Sequence, residues 1–142
     1  LGTGDPYYED CMRRLAAEHP RNVRVRIAFD DALAHKIEAG ADMLLMPSRY
    51  EPCGLNQIYS LRYGTVPIVR ATGGLDDTVD EATGFKFADY SAAALLEAVG
   101  RALAAYRNRE AWQAMMIRGM KKDFSWDASA REYAALYRSL LD

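Results

Sequence analysis

The sequence predicts an α/β fold, a Rossmann-like parallel sheet with helices on both of its faces. Three observations predict it. Segments with strand and helix patterns alternate over residues 1–90, which is typical of a doubly wound sheet. Arginines alternate with Val23, Val25 and Ile27, which is the period-2 pattern of a strand. The apolar run Met43–Met46 is short and unbroken, as in parallel strands that are buried on both faces.

Each element follows from local signals. Asp5 and Pro6 favour a helix start, Asp30 and Asp127 stand where helix N-caps belong, and Gly64 is a typical helix terminator. The predicted elements, in chain order, are a helix over 7–19, strand 23–27, helix 32–39, strand 43–46, helix 54–63, strand 66–69, short helix 75–79, strand 85–87 and helices over 91–106, 111–120 and from 127 onward. Tyr133, Tyr137 and Leu140 share one face of the last helix, which indicates core or a docking surface.

Composition narrows the function classes. The 142 residues suit one domain, and 50% of them are hydrophobic, which is enough for a core. A formal net charge of −2 argues against a nucleic-acid partner or an anionic membrane surface. Cys11 and Cys53 lie far apart without metal-ligand spacing, so we expect no zinc site, no disulfide and a reducing compartment. No apolar run reaches membrane-spanning length.

The loop after Met46 carries the strongest candidate site. In open parallel sheets, ligands bind beyond the carboxyl ends of the strands, here after Ile27, Met46 and Val69. The loop leads into a helix that starts with Gly54, Leu55 and Asn56, whose backbone N–H groups favour a phosphate. Glu51 precedes that helix and would repel phosphate, so it is predicted to face sugar hydroxyls or an oxocarbenium-like centre. The alternative is that Glu51 simply caps the helix.

Two further positions follow strands at the same edge. Gly73 and Gly74 allow a backbone to approach a ligand closely, although a double glycine is also a plain turn signal. Phe29 is placed to stack on a nucleobase, although a rim aromatic is the commoner interpretation. His19 and His35 have no nucleophile or carboxylate at a telling spacing, so serine-type and cysteine-type catalysis are unsupported.

Four motifs stand in order along the chain. They are Ser48–Gln57 (SRYEPCGLNQ), Leu61–Pro67 (LRYGTVP), Thr72–Val79 (TGGLDDTV) and Asp123–Trp126 (DFSW). Together they resemble bacterial glycogen synthases and plant starch synthases. The resemblance extends over nearly the whole chain, and the opening Leu1–Pro6 is similar to the end of a family strand.

The resemblance implies a retaining glucosyltransferase of the GT-B fold. It would transfer glucose from ADP-glucose, or sometimes UDP-glucose, to an α-1,4-glucan without a metal or other cofactor. Glu51 would be the catalytic residue beside the glucose, and the backbone of Cys53 and Gly54 would meet its hydroxyls. Leu55 and Asn56 would hold the distal phosphate. Phe29 would stand near the adenine, and Gly73 and Gly74 would complete the donor site.

The chain also departs from the family pattern. Tyr59 stands where the wider superfamily often has a second glutamate, and the loop over 80–83 is shorter than in many relatives. The resemblance places the phosphate-clamping Arg and Lys, two central strands and the acceptor domain upstream of Leu1. We therefore expect residues 1–142 to be a single partial domain, the C-terminal half of a GT-B fold truncated at its N-terminus and inactive alone. Alternatives are a non-catalytic module that binds a nucleotide or a partner protein, or another retaining GT-B transferase. The expected location is the cytoplasm, or the plastid in a plant.

Overall fold

The computed structural model describes residues 1–141, which form two compact units. The first is Leu1–Ile37 and the second begins at Glu38. The expectation of a single partial domain over residues 1–142 stays a prediction. The elements in chain order are α1 (Pro6–Glu18), α2 (Asp31–Gly40), β1 (Met43–Met46), α3 (Asn56–Tyr63), β2 (Val66–Arg70), α4 (Gly74–Thr78), β3 (Phe85–Phe87), α5 (Ala92–Tyr106), α6 (Arg109–Met120) and α7 (Trp126–Ser139).

The first unit confirms two predicted helix starts. The Asp5 carboxylate accepts a hydrogen bond from Tyr7 N at 2.8 Å, with Pro6 in the first turn of α1. Asp30 accepts one from Leu33 N at 3.0 Å at the start of α2. The predicted strand over 23–27 is wrong, because within the described residues this segment forms a ladder pair only with Gly2. That pairing is a single parallel bridge between Gly2 and Ile27, too short for a strand.

The second unit contains a three-stranded parallel sheet in the order β1-β2-β3. Met43 pairs with Val66, and Ile68 pairs with Phe85. All three strands therefore end at the same edge of the sheet. This arrangement confirms the predicted Rossmann-like parallel sheet, and it makes the loops after Met46, Arg70 and Phe87 neighbours.

Helices cover both faces of this sheet, as predicted. Successive residues of a strand point to opposite faces. Ile68 packs with Phe87 and with Ala98 of α5 on one face, while Val69 packs with Leu75 of α4 on the other. Ile68, Val69 and Leu75 are completely inaccessible to solvent, so the core sits on β2.

The starts of α3 and α7 differ from the prediction in backbone conformation and in capping, and α6 begins two residues earlier than predicted, at Arg109. Helix α3 begins at Asn56 and not at residue 54, because Gly54 has a φ of +73°, which is left-handed and incompatible with an α-helix. Helix α7 is capped by Ser125, whose hydroxyl accepts from Ala128 N at 3.2 Å, and Asp127 lies in its first turn instead. No residue of α7 that the structure describes is buried. No helix within residues 1–141 is long and apolar enough to cross a bilayer.

Candidate functional site

The loop between β1 and α3 lies at the carboxyl edge of the sheet, where the site was predicted. It brings Glu51, Cys53 and Gly54 against the turn that precedes α4. Gly74 N donates to Glu51 O at 3.2 Å and to Pro52 O at 3.3 Å. The sequence-predicted residues of the second unit thus lie along this loop, at the start of α3 and in the facing turn, where Gly74 is buried. They are Glu51, Cys53, Gly54, Leu55, Asn56, Gly73 and Gly74.

Gly73 and Gly74 are required by this close approach of two backbones. A Cβ on Gly73 would collide with Glu51 O, and one on Gly74 would collide with Cys53 O. Gly73 also has a φ of +46°, a conformation that favours glycine. The sequence predicted a close approach to a ligand. The structure shows that the two glycines approach the backbone of the Glu51–Cys53 segment.

The backbone carbonyls of this loop are hydrogen-bonded to the protein on its inner side. Upstream of Glu51, Arg70 Nη1 donates to Arg49 O at 2.8 Å. Downstream, Gln57 Nε2 donates to Cys53 O and to Gly54 O, each at 3.0 Å. With the bonds from Gly74 N, the loop is fixed at three points. A loop whose carbonyls are already bonded can offer its amide and side-chain groups to a ligand.

The start of α3 is open to an anion. Its N-cap residue is Leu55, which makes no side-chain capping hydrogen bond, and both Leu55 and Asn56 are exposed. The first N–H groups of a helix have no partner within the helix and carry the positive end of its dipole. A phosphate that approaches from solvent would therefore meet unpaired donors at this end of α3.

Glu51 is half-buried at the rim of this loop. Its backbone O is bonded to Gly74 N, but its carboxylate has no hydrogen bond or ion pair with the part of the chain that the structure describes. The alternative that Glu51 caps α3 is wrong, because α3 starts after Leu55 without a side-chain cap. The carboxylate is therefore an acceptor available to an incoming polar group.

The remaining candidates lie elsewhere. Phe29 belongs to the first unit, where its side chain is 91% exposed, and its stacking on a nucleobase stays a prediction. His35 is placed 3.9 Å from the carboxylate of Asp31, one helical turn earlier in α2. Within residues 1–141, no cluster of three or more His, Cys, Asp or Glu side chains is arranged to hold a metal ion.

The structure adds residues that the sequence analysis missed. Gln57 is completely buried, and its Nε2 also lies 3.1 Å from Thr78 Oγ1 on α4. Lys122 donates to Asp80 Oδ2 at 2.6 Å and to Thr78 O at 2.9 Å, which ties the end of α6 to the short loop over 80–83. The hydrogen bond from Lys122 holds the pKa of Asp80 below its ordinary value. No pattern in the sequence marks these contacts, since each joins elements that are distant along the chain.

Comparison with known proteins identifies the family. Residues 3–116 match the family of glycosyl transferases group 1. The chain belongs to this family. It is 62% identical to a glycogen synthase of Anaeromyxobacter sp. (strain Fw109-5) and 60% identical to one of Koribacter versatilis. These matches cover 99% and 96% of the chain but only 31% and 30% of the relatives, so the chain spans about a third of their length.

Solved structures of glycosyl transferases have the same fold. The catalytic domain of starch synthase IV from Arabidopsis thaliana, bound to ADP and acarbose, matches 97% of the chain with a TM-score of 0.82 and 32% identity. A sucrose-phosphate synthase from Thermosynechococcus elongatus matches 98% with a TM-score of 0.66 and 29% identity. The chain covers 31% and 37% of those two proteins. The resemblance to glycogen and starch synthases, drawn from the four motifs, is confirmed.

Proposed function

We propose that this glycosyl transferase segment forms the sugar-nucleotide site of a glycogen or starch synthase. The whole protein would transfer glucose from ADP-glucose, or UDP-glucose, to the non-reducing end of an α-1,4-glucan with retention of configuration. One observation carries the proposal: the half-buried Glu51 carboxylate, which has no bonding partner among residues 1–141, lies in the same fixed loop that leads into the uncapped start of α3. The 62% identity to a glycogen synthase and the likeness to an ADP-bound starch synthase support this choice of substrate.

Different residues of the loop would contact different parts of the donor. The distal phosphate would sit against the N–H groups of Leu55 and Asn56, where the helix dipole favours negative charge. The backbone of Cys53 and Gly54 would meet glucose hydroxyls. Glu51 would face the hexose, where its negative charge stabilises the positive charge that develops at the anomeric carbon in the transition state.

Parts of the whole protein outside this segment would contribute to the donor and acceptor sites. Helix N–H groups alone stabilise a diphosphate by a modest amount, about 0.3–2 kcal/mol. Cationic side chains outside this segment would therefore add to phosphate binding, and so would an acceptor domain for the glucan. Phe29 would contact the nucleobase. The proposed location is the cytoplasm.

Donor turnover by the full-length protein tests the proposal. We expect transfer from ADP-glucose to a maltooligosaccharide and little or none from GDP-mannose. Replacing Glu51 with Gln should lower kcat by about a hundredfold or more, because a neutral amide cannot stabilise the developing charge. The Kd for ADP should stay within about twofold, since Glu51 addresses sugar and not phosphate. The exposed Glu81→Gln, in the loop before β3, is the matched control and should behave as wild type.

The other outcomes separate the alternatives. Near-normal turnover in Glu51→Gln would refute the role of this carboxylate. ADP binding without transfer from any sugar nucleotide would favour a non-catalytic nucleotide-binding module. Transfer from a different donor or to a non-glucan acceptor would favour another retaining transferase, a possibility raised by the likeness to sucrose-phosphate synthase.

A further inference from the structure

The backbone of the donor loop, defined here as residues 47–55, is held at both ends by side chains from outside it. We infer that Arg70 and Gln57 are positioning residues with different roles: Arg70 orients the limb that carries Glu51, and Gln57 orients the limb that opens α3. The inference rests on the proposed function, because it assigns these limbs to the hexose and the phosphate of the donor. Neither residue needs to touch the substrate.

Arg70 holds the upstream limb through a planar, forked side chain. It is the last residue of β2, and its Nη1 donates to Arg49 O at 2.8 Å, two residues before Glu51. Its Nε donates to Ala88 O at 3.1 Å in the segment after β3, and the guanidinium lies 5.6 Å from the ring centre of Tyr90. Two donors directed to two different loops need the fixed geometry of a guanidinium, which a lysine ammonium lacks.

Gln57 holds the downstream limb from inside the protein. Its side chain is completely buried, and Nε2 lies within 3.1 Å of Cys53 O, Gly54 O and Thr78 Oγ1. The opposite amide orientation would set Oε1 against the carbonyls of Cys53 and Gly54, so only the observed orientation satisfies them. A Cβ on Gly54 would collide with Oε1, which has no hydrogen-bond partner among the described residues. Gln57 therefore gives up one buried hydrogen bond in order to fix two carbonyls of the loop.

The two limbs predict two different kinetic effects. Between them, Gly74 N anchors Glu51 O and Pro52 O, so a disturbance of one limb is contained by the bond in the middle. Loosening the Arg49 end should leave Glu51 held only at its carbonyl, so that its side chain loses a fixed direction while the start of α3 keeps its place. Loosening the Cys53–Gly54 end should disorder the amides that would receive the phosphate. Misplacement of a reacting group by about 1 Å can cost a hundredfold in rate.

Steady-state kinetics and ADP titration of Arg70→Met and Gln57→Met in the full-length protein test this inference. For Arg70→Met we expect kcat to fall at least about tenfold with the Kd for ADP within about twofold. For Gln57→Met we expect the Kd for ADP to rise at least about fivefold, the size of one helix-terminus interaction with an anion. Arg101→Met is the matched control, because Arg101 Nη2 also donates to a backbone carbonyl, Lys86 O at 2.6 Å, but in β3 and away from the loop. It should leave both constants unchanged.

Milder variants keep the test decisive if a methionine variant does not fold. Arg70→Lys keeps the charge but loses the fork, and Thr78→Val removes one partner of Gln57 Nε2 at a partly buried site. Arg70→Lys should lower kcat less than Arg70→Met does, and Thr78→Val should raise the Kd for ADP less than Gln57→Met does. Equal effects of both replacements on kcat and Kd, or wild-type constants in both, would overturn the inference. A wild-type protein that neither binds ADP nor transfers glucose would instead refute the proposed function.

Discussion

A methyl group at residue 74 tests whether the contact between the donor loop and the turn before α4 matters for function. A Cβ on Gly74 would lie 2.6 Å from both the Cα and the carbonyl C of Cys53, whereas ordinary contact begins at 3.4 Å. The Cys53 backbone would have to retreat by at least the difference, 0.8 Å, and Cys53 O, which is closer still, by more. This retreat would also weaken the bonds from Gly74 N to Glu51 O and Pro52 O, which are already 3.2 and 3.3 Å long.

We expect Gly74→Ala to lower kcat/KM for ADP-glucose by about 10- to 100-fold in the full-length protein, since displacements near 1 Å have effects of this size. The assay is initial-rate transfer to a maltooligosaccharide, with the thermal unfolding midpoint measured in parallel. Gly100→Ala is the matched control, because a Cβ there would meet nothing within 4 Å and residue 100 lies inside α5. It should keep full activity and gain about 1 kcal/mol of stability from the higher helix propensity of alanine. Full activity in Gly74→Ala would refute the conclusion that the loop and turn must touch.

Three further perturbations give separate readouts. Gly54→Leu should weaken ADP binding at least about fivefold by calorimetry, since a side chain there meets Gln57 Oε1 and residue 54 has a φ of +73°. Unchanged affinity would contradict the proposal that a phosphate binds at the start of α3. Trp112→Ala should lower the free energy of unfolding by about 3–5 kcal/mol in a denaturant titration, because the side chain is 3% exposed and its ring is stacked on that of Phe85 with 6.4 Å between ring centres. A loss below about 1 kcal/mol would contradict this packing. Lys122→Met should cost at most about 1 kcal/mol near neutral pH, since the ion pair with Asp80 is partly exposed. The pKa of Asp80 is lower folded than unfolded, so this stabilisation is complete above the ordinary value of 3.8 and is lost as pH falls through the lower folded value. The difference between Lys122→Met and wild type in thermal unfolding should therefore narrow in acid, and a constant difference would exclude the ion pair as its source.

Local signals in the sequence were enough to predict the sheet and most helices. Met43–Met46 and Val66–Arg70 were recognisable because both are short, unbroken apolar runs. The predicted burial on both faces holds for Val66–Arg70 but is wrong for Met43–Met46, the end strand of the described sheet, where Leu45 is 50% exposed. Val23–Ile27 has an equally good strand pattern, yet a strand also needs a neighbour, and within residues 1–141 only Gly2 provides one. The start of α3 was misplaced by two residues because the sequence does not report the sign of φ at Gly54.

The candidate site was only partly visible in the sequence. Glu51 and the glycines were marked by their place after strands, and the structure brings the Glu51 loop against Gly73 and Gly74, while their roles toward a donor stay predictions. The purpose of Gly73 and Gly74 was not visible, because it depends on which backbone packs against them. Arg70 and Gln57 were missed for the same reason. An arginine at a strand end is unremarkable until folding brings the carbonyl of Arg49 beside it. Gln57 belongs to the motif Ser48–Gln57, but its role depends on how the loop turns the carbonyls of Cys53 and Gly54 toward the helix.

The way the donor loop is anchored has a consequence for its mutability. The hydrogen bonds from Arg70, Gly74 and Gln57 to this loop all reach main-chain oxygens, which every amino acid carries. The exposed side chains of Arg49 and Tyr50 are therefore not needed to keep the backbone in shape. Randomising these two positions should yield folded variants at high frequency. Such a library could search for altered donor preference without a loss of stability.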